Sequence, residues 1–163
     1  MLAVRVIQLV KDILGDRLVS AIIFGSLAAG RFNEESDIDL LFVVEDFGGK
    51  SMAARIEEIA PAFEKLRETS EYNTWKKETG KPTIPDINPI IYTKEEIKKH
   101  PPIMLDLVYD GEIIYDVGDF IKTELKLLER RLNELGARRI TNPDGTWYWI
   151  LSPRIRRGEA IEI

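Results

Sequence analysis

Two short apolar runs constrain this chain most: Leu18–Phe24, and Ile38–Val44, which only Asp39 interrupts. Both are rich in valine, isoleucine and leucine, and neither alternates regularly with polar residues. This pattern predicts strands buried within a sheet. Gly25 ends the first run, and Phe47-Gly48-Gly49 breaks the chain after the second. Apolar residues at helical spacing surround them. Val6, Ile7, Val10 and Ile13 share a face, with Gly15 as a stop. Ile56, Ile59, Ala60, Phe63 and Leu66 share another, where Pro61 predicts a kink or a split. Leu125, Leu128, Leu132 and Leu135 mark a third helix, ended by Gly136.

The remaining segments read less uniformly. Residues 27–31 make a short helix. Residues 70–82 are polar and read as a loop, with Trp75 as an anchor. Residues 84–92 form a third strand, and because Pro85 and Pro89 cannot donate ladder hydrogen bonds, it belongs at a sheet edge or pairs irregularly. Thr93 and Glu96 form a capping-box pattern. A short helix over 102–109 stops near Gly111, and Glu112–Asp116 is a short strand. Asn142-Pro143-Asp144-Gly145 is a turn between the extended runs 138–141 and 146–151. The order of helices and strands implies an α/β (α+β) domain covering 1–163. Its core spans about 1–116, and a C-terminal helix and β-hairpin form an extension over 117–163.

Composition narrows the chemistry. There is no cysteine and a single histidine, His100, which excludes thiolate catalysis, cysteine-ligated metals and histidine-rich metal sites. No apolar run approaches the roughly 20 residues of a membrane helix. The N-terminal residues lack a secretory pattern, so a cytoplasmic location is expected. Carboxylates are the main chemical resource, and two of them stand out. Asp37 and Asp39 lie two apart on a predicted strand, so alternation puts both on one face while Ile38 and Leu40 face the other way. Two adjacent carboxylates repel unless a cation or proton intervenes. Hard oxygen ligands of this kind suit Mg²⁺ together with phosphate oxygens and water. One strand earlier, Gly25-Ser26 opens a turn where helix N–H groups and a hydroxyl can meet a phosphate, and Gly30 permits a tight exit. There is no GxxxxGK[ST] loop and no GxGxxG after the first strand. A phosphate cradle beside a carboxylate pair suggests phosphoryl or nucleotidyl transfer.

The stretch GSLAAGRFNEESDIDL, residues 25–40, resembles the GSxxxGxxxxxSDxDL signature of the DNA polymerase β-like nucleotidyltransferase superfamily, of the minimal nucleotidyltransferase type. The order of elements extends the resemblance loosely to about residue 116. It implies a mixed β-sheet backed by helices. It implies that Gly25 and Ser26 hold a nucleoside triphosphate, with Gly30, Arg31 and Ser36 as further nucleotide-binding candidates. It implies that Asp37 and Asp39 bind divalent metal, two Mg²⁺ ions in the two-metal scheme. The implied reaction moves a nucleoside monophosphate from an NTP, with ATP as the expected donor, to a hydroxyl acceptor. The family usually places a third carboxylate on a later strand. Here that position falls on Asn88, which can ligate but carries no charge, and Asp86 two residues earlier could substitute. Asp37, Asp39 and Asp86 are therefore the catalytic candidates, and Asp37, Asp39, Asp86 and Asn88 the metal-ligand candidates.

Other features bear on partners. Residues 120–163 carry a net +3 and the rest of the chain −8. Trp147-Tyr148-Trp149 lies near Arg138, Arg139, Arg154, Arg156 and Arg157, which could form an RNA-binding acceptor platform. Alternation along a strand favours instead packing of Trp147 and Trp149 on a core. Asp106 reads as a surface helix residue, Asp116 as a strand end and His100 as a helix end. The alternatives to an active transferase are a catalytically weak nucleotide-binding module, such as a toxin–antitoxin component with a helical partner protein, and an RNA-end-modifying protein. The acceptor stays open among protein, RNA and small molecule, and a homodimer is a further option.

Overall fold

The computed structural model describes residues 2–31, 36–81, 85–143 and 145–153. In order, the elements are α1 (Leu2–Leu14), β1 (Leu18–Phe24), α2 (Gly25–Ala28), β2 (Ile38–Val44), α3 (Met52–Leu66) and α4 (Ser70–Thr79). They continue with β3 (Ile87–Thr93), α5 (Lys94–Ile97), α6 (Ile103–Asp110), β4 (Glu112–Asp116), α7 (Phe120–Leu135), β5 (Arg138–Thr141) and β6 (Trp147–Ile150). Four strands form a mixed sheet in the order β3-β2-β1-β4. β1 runs antiparallel to both β2 and β4, whereas β2 and β3 are parallel. β5 and β6 make a separate hairpin. No described helix is long and apolar enough to cross a membrane.

The apolar runs fold as their composition requires. Every residue of β1 is buried, and so is every residue of β2 except Asp39. Alternation sends Ile38, Leu40, Phe42 and Val44 to one face, under α1 and α3, where Val6, Val10, Ile59 and Leu66 meet them. Leu41 and Val43 point to the other face, against Met104 and Leu107 of α6 and Ile121, Leu128 and Leu132 of α7. In β1 a bulge between Leu18 and Ser20 shifts the phase, so Leu18 and Ala21, three residues apart, fall into the same cluster. Ser20 is fully buried, and its hydroxyl donates to Asp116 Oδ1 at 2.7 Å. Without that bond the buried hydroxyl would cost about 1–3 kcal/mol.

β3 is an edge strand, as Pro89 demands, and Pro85 lies before it. Ile38 N–H donates to the Asp86 carbonyl at 2.8 Å. Alternation then turns the nitrogen of Pro89 away from β2, towards the free edge. On that edge the Ile91 carbonyl accepts from Arg55 Nη1 at 3.1 Å. Arg55 also forks onto Glu96, at 2.6 and 2.8 Å. Glu96 closes the capping box with Thr93, which the sequence pattern implied. The Arg55 pair holds the Glu96 carboxyl down to about 2.

Two expectations change. Residues 70–79 are helix α4, not loop. Thr69 caps it by accepting from Tyr72 N–H at 3.3 Å, and Gly80 ends it in the left-handed region. Trp75 on this helix does anchor it against the core. The split anticipated at Pro61 does not occur, because α3 is one helix across it.

Candidate functional site

The site is built where β1 hands over to α2 and β2 begins. Asp39 opposes Phe24 on one side and Asn88 on the other. Asp39 and Asn88 thus share a face, the one that carries Leu41 and Val43 further along. The amide of Asn88 donates to Asp37 Oδ2 at 3.1 Å and to Asp39 Oδ1 at 3.4 Å. One NH₂ group therefore serves both carboxylates, which places them side by side at the start of β2. Asp37 is exposed and Asp39 half-buried. Burial raises the Asp39 carboxyl above its ordinary range, the Asn88 hydrogen bond opposes this, and the charge on Asp37 adds to the rise. A neutral amide relieves the repulsion only in part, and a cation would relieve it further.

Gly25 is required here for two reasons. Its φ is +70°, in the left-handed region. A Cβ at this position would also overlap Asp39 Oδ2 and come within 3.1 Å of the carboxyl carbon. The glycine thus lets the turn and the carboxylate occupy adjacent space. α2 is a single turn, shorter than the helix read over 27–31, and starts two residues earlier. So short a helix has little macrodipole, and what it offers an anion is backbone N–H groups and the Ser26 hydroxyl. Phe24 at its cap position makes no side-chain hydrogen bond. The exit is a Schellman motif. Arg31 N–H donates to Ser26 C=O at 2.9 Å and Gly30 N–H to Leu27 C=O at 3.3 Å, with Gly30 at φ +67°. Among the described residues an added Cβ on Gly30 would meet nothing within 4 Å, so its role is conformational.

The other candidates are placed as follows. Arg31 is exposed, with its guanidinium carbon 5.3 Å from the centre of the Trp147 ring. Ser36 is half-buried, just before Asp37. Asp86 is exposed immediately before β3, and it is its backbone carbonyl that is engaged, by Ile38. Among the described residues no three acidic or histidine side chains are grouped to hold a metal. The oxygen donors brought together are thus the Asp37 and Asp39 carboxylates, and the Asn88 amide, which faces them with its NH₂ group, would have to turn its oxygen inward to join them. Two carboxylates and an amide fit a divalent, oxygen-loving cation.

Sequence reasoning missed two supports. Asp106 on α6 is not a plain surface residue, because it accepts from Trp147 Nε1 at 2.8 Å. A carboxylate in the apolar stretch Ile103–Asp110 was the available signal. Asp116 does end β4, and it also caps α7 by accepting from the Ile121 and Lys122 N–H groups at 3.1 and 3.2 Å. At the basic end, Trp149 packs on the core while Tyr148 is exposed. Arg139 pairs with Asp110 at 2.7 Å and is nearly buried. Arg154, Arg156 and Arg157 lie outside the described residues.

Residues 5–114 match the family described as nucleotidyltransferase domain. No curated protein matches the chain. Similar solved structures include a mutant of the toxin–antitoxin MntA–HpeT, with TM-score 0.50, 15% identity, and 82% of this chain and 92% of that one covered. A toxin–antitoxin with AMP-PNP has TM-score 0.49 and 14% identity, with 83% and 94% covered. The tri-AMPylated Shewanella oneidensis HEPN toxin in complex with MNT antitoxin has TM-score 0.45 and 15% identity, with 83% and 90% covered. At such identities the MntA–HpeT likeness bears on the fold alone.

Proposed function

From the premise that this chain belongs to the nucleotidyltransferase domain family, we propose that it moves a nucleoside monophosphate from a nucleoside triphosphate, with ATP as donor, to a hydroxyl acceptor. One observation carries this reading: Asp37 and Asp39 converge on a single amide, directly beside the glycine-serine turn that needs Gly25 to clear Asp39. Asp37 and Asp39 would hold Mg²⁺, with Asn88 or Asp86 as a further ligand. When bound, the metal supplies Lewis-acid stabilisation of phosphate oxygens. The Ser26 hydroxyl and the N–H groups of its turn hold phosphate, and the Arg31 guanidinium adds charge. The acceptor hydroxyl forms a bond to the α-phosphorus, the bond to the β-phosphate bridge breaks, and pyrophosphate leaves. The hairpin belongs to the same domain as the core in this account, since Trp149 and Leu151 pack against it.

A second reading is favoured by Asn88. With an uncharged amide in place of a third carboxylate, the chain would bind nucleotide and act as a weak transferase or as a regulatory module beside a partner protein, an arrangement that the name MntA–HpeT toxin–antitoxin describes for that pair. Calorimetric titration with a non-hydrolysable ATP analogue tests the shared core of both readings. Binding should require Mg²⁺ and weaken at least tenfold in Asp37→Asn while circular dichroism shows an intact fold. Affinity indifferent to Mg²⁺ and to Asp37→Asn would contradict both.

A further inference from the structure

Beyond residue 114, where the family match ends, the chain adds α7 and the β5–β6 hairpin, and one hairpin residue reaches back to the site. We propose that Trp147 is a positioning residue that holds the Arg31 guanidinium ready for the phosphates of a nucleoside triphosphate. The inference rests on the nucleotidyl-transfer reading.

Arg31 is fixed at two points. Its N–H donates to the Ser26 carbonyl at 2.9 Å, which ties its backbone to the turn assigned to phosphate. Its guanidinium lies over the Trp147 ring, 5.3 Å from the centre, within cation–π range. Among the described residues Arg31 forms no ion pair, so its charge is not spent on a carboxylate there. A guanidinium laid on an aromatic face keeps its N–H donors at the edge of its plane, the geometry that suits phosphate oxygens. Holding the side chain beforehand also lowers the entropy lost on binding.

Trp147 is itself anchored. Its Nε1–H donates to Asp106 of α6 at 2.8 Å, and its strand pairs with Thr141 of β5. The Arg139 guanidinium lies 4.3 Å from its ring centre and 4.4 Å from that of Tyr109. Arg139 differs from Arg31 in the respect that matters. It is 4% exposed and paired with Asp110, so it serves the packing of the indole. Two cations over one ring thus divide the work: the neutralised, buried one fixes the platform, and the exposed one uses it.

The test is a double-mutant cycle on the full chain, read as affinity for a non-hydrolysable ATP analogue with Mg²⁺. Arg31→Met should weaken binding about tenfold, the loss of one charge-assisted phosphate contact. Trp147→Leu should weaken it about threefold to fivefold. The double variant should be no weaker than Arg31→Met. Losses that add in the double variant overturn the inference. Should Trp147→Leu fail to fold, nuclear magnetic resonance on the unaltered chain decides. The ligand should shift the Arg31 Nε–H and Trp147 indole resonances together, and a shift of neither, or of Arg31 alone, overturns the inference. If the unaltered chain binds no Mg²⁺–triphosphate, the nucleotidyl-transfer reading fails and takes this inference with it. Binding with additive losses removes this inference alone.

Discussion

Replacing Gly25 with alanine probes the joint between turn and carboxylate. Alanine must adopt φ near +70°, at a cost of roughly 1–2 kcal/mol. Its Cβ must also clear Asp39, and turning the carboxylate alone does not suffice. The Cβ would overlap Oδ2, lie 3.1 Å from the carboxyl carbon and 3.4 Å from the Asp39 Cβ, where ordinary contact only begins. The Asp39 side chain must therefore leave its rotamer, which adds about 0.5–1.5 kcal/mol. Together these predict about 1.5–3.5 kcal/mol of destabilisation, or a Tm lower by roughly 3–14 °C for a chain of this size. Moving Asp39 would also withdraw one of the two carboxylates proposed to hold the metal, so Mg²⁺ affinity should fall at least tenfold. Gly30→Ala is the matched control. It too needs a left-handed φ, +67°, but its Cβ meets nothing among the described residues. It should lose Tm from the backbone term alone and keep its Mg²⁺ affinity. Thermal melts followed by circular dichroism, and calorimetric titration with Mg²⁺, measure both quantities. Unchanged Mg²⁺ affinity in Gly25→Ala, or an equal loss in Gly30→Ala, refutes the reasoning.

Asp39→Asn should raise the Tm of the metal-free protein, because burial and the neighbouring Asp37 both work against the charge it removes. About 2–4 °C is expected per kcal/mol relieved, while the stabilisation that Mg²⁺ gives the unaltered chain should vanish. A lower metal-free Tm would oppose this. Asn88→Asp should do the reverse, lowering the metal-free Tm by adding a third charge and strengthening Mg²⁺ binding several-fold in a titration. Equal affinity would show that residue 88 is no ligand. For pH, the relevant group is Glu96, held from 4.5 down to about 2 by Arg55. A lowered carboxyl stabilises the fold above its unfolded value, and that contribution is lost as pH falls from about 4.5 towards 2. Its side chain is 36% exposed, so screening reduces the contribution to about 1–2 kcal/mol. Urea melts of Glu96→Gln should therefore lie below the unaltered chain at pH 6 and approach it near pH 2. A constant gap would assign the loss to packing.

Local chemistry was legible in the sequence and long-range pairing was not. β1 and β2 appear with their expected limits because a short apolar run bounded by glycine has few other ways to hide. Thr93 and Glu96 close their capping box because its bonds lie within one turn. The shared face of Asp37 and Asp39 follows from strand alternation, and both accept from Asn88. α4 escaped because its sequence, SEYNTWKKET, has no apolar period. Its signals were terminal ones, Thr69 at the start and Gly80 at the end. The direction of β3 relative to β2, and hence the meeting of Asn88 with Asp39, depends on contacts 49 residues apart. The approach of Trp147 to Arg31 lies further still from anything a local pattern encodes, since the hairpin is seated by contacts with α6 and α7.

Transfer of a nucleotidyl group is distinguished from phosphoryl transfer by the position of a radiolabel. The chain is incubated with Mg²⁺ and ATP labelled at either the α- or the γ-phosphate, with RNA, candidate partner proteins and the chain itself as acceptors. Acid-stable label is expected from the α-position, none from the γ-position, and transfer should be lost in a folded Asp37→Asn variant. Label arriving from the γ-position, or α-label that survives Asp37→Asn, contradicts this expectation.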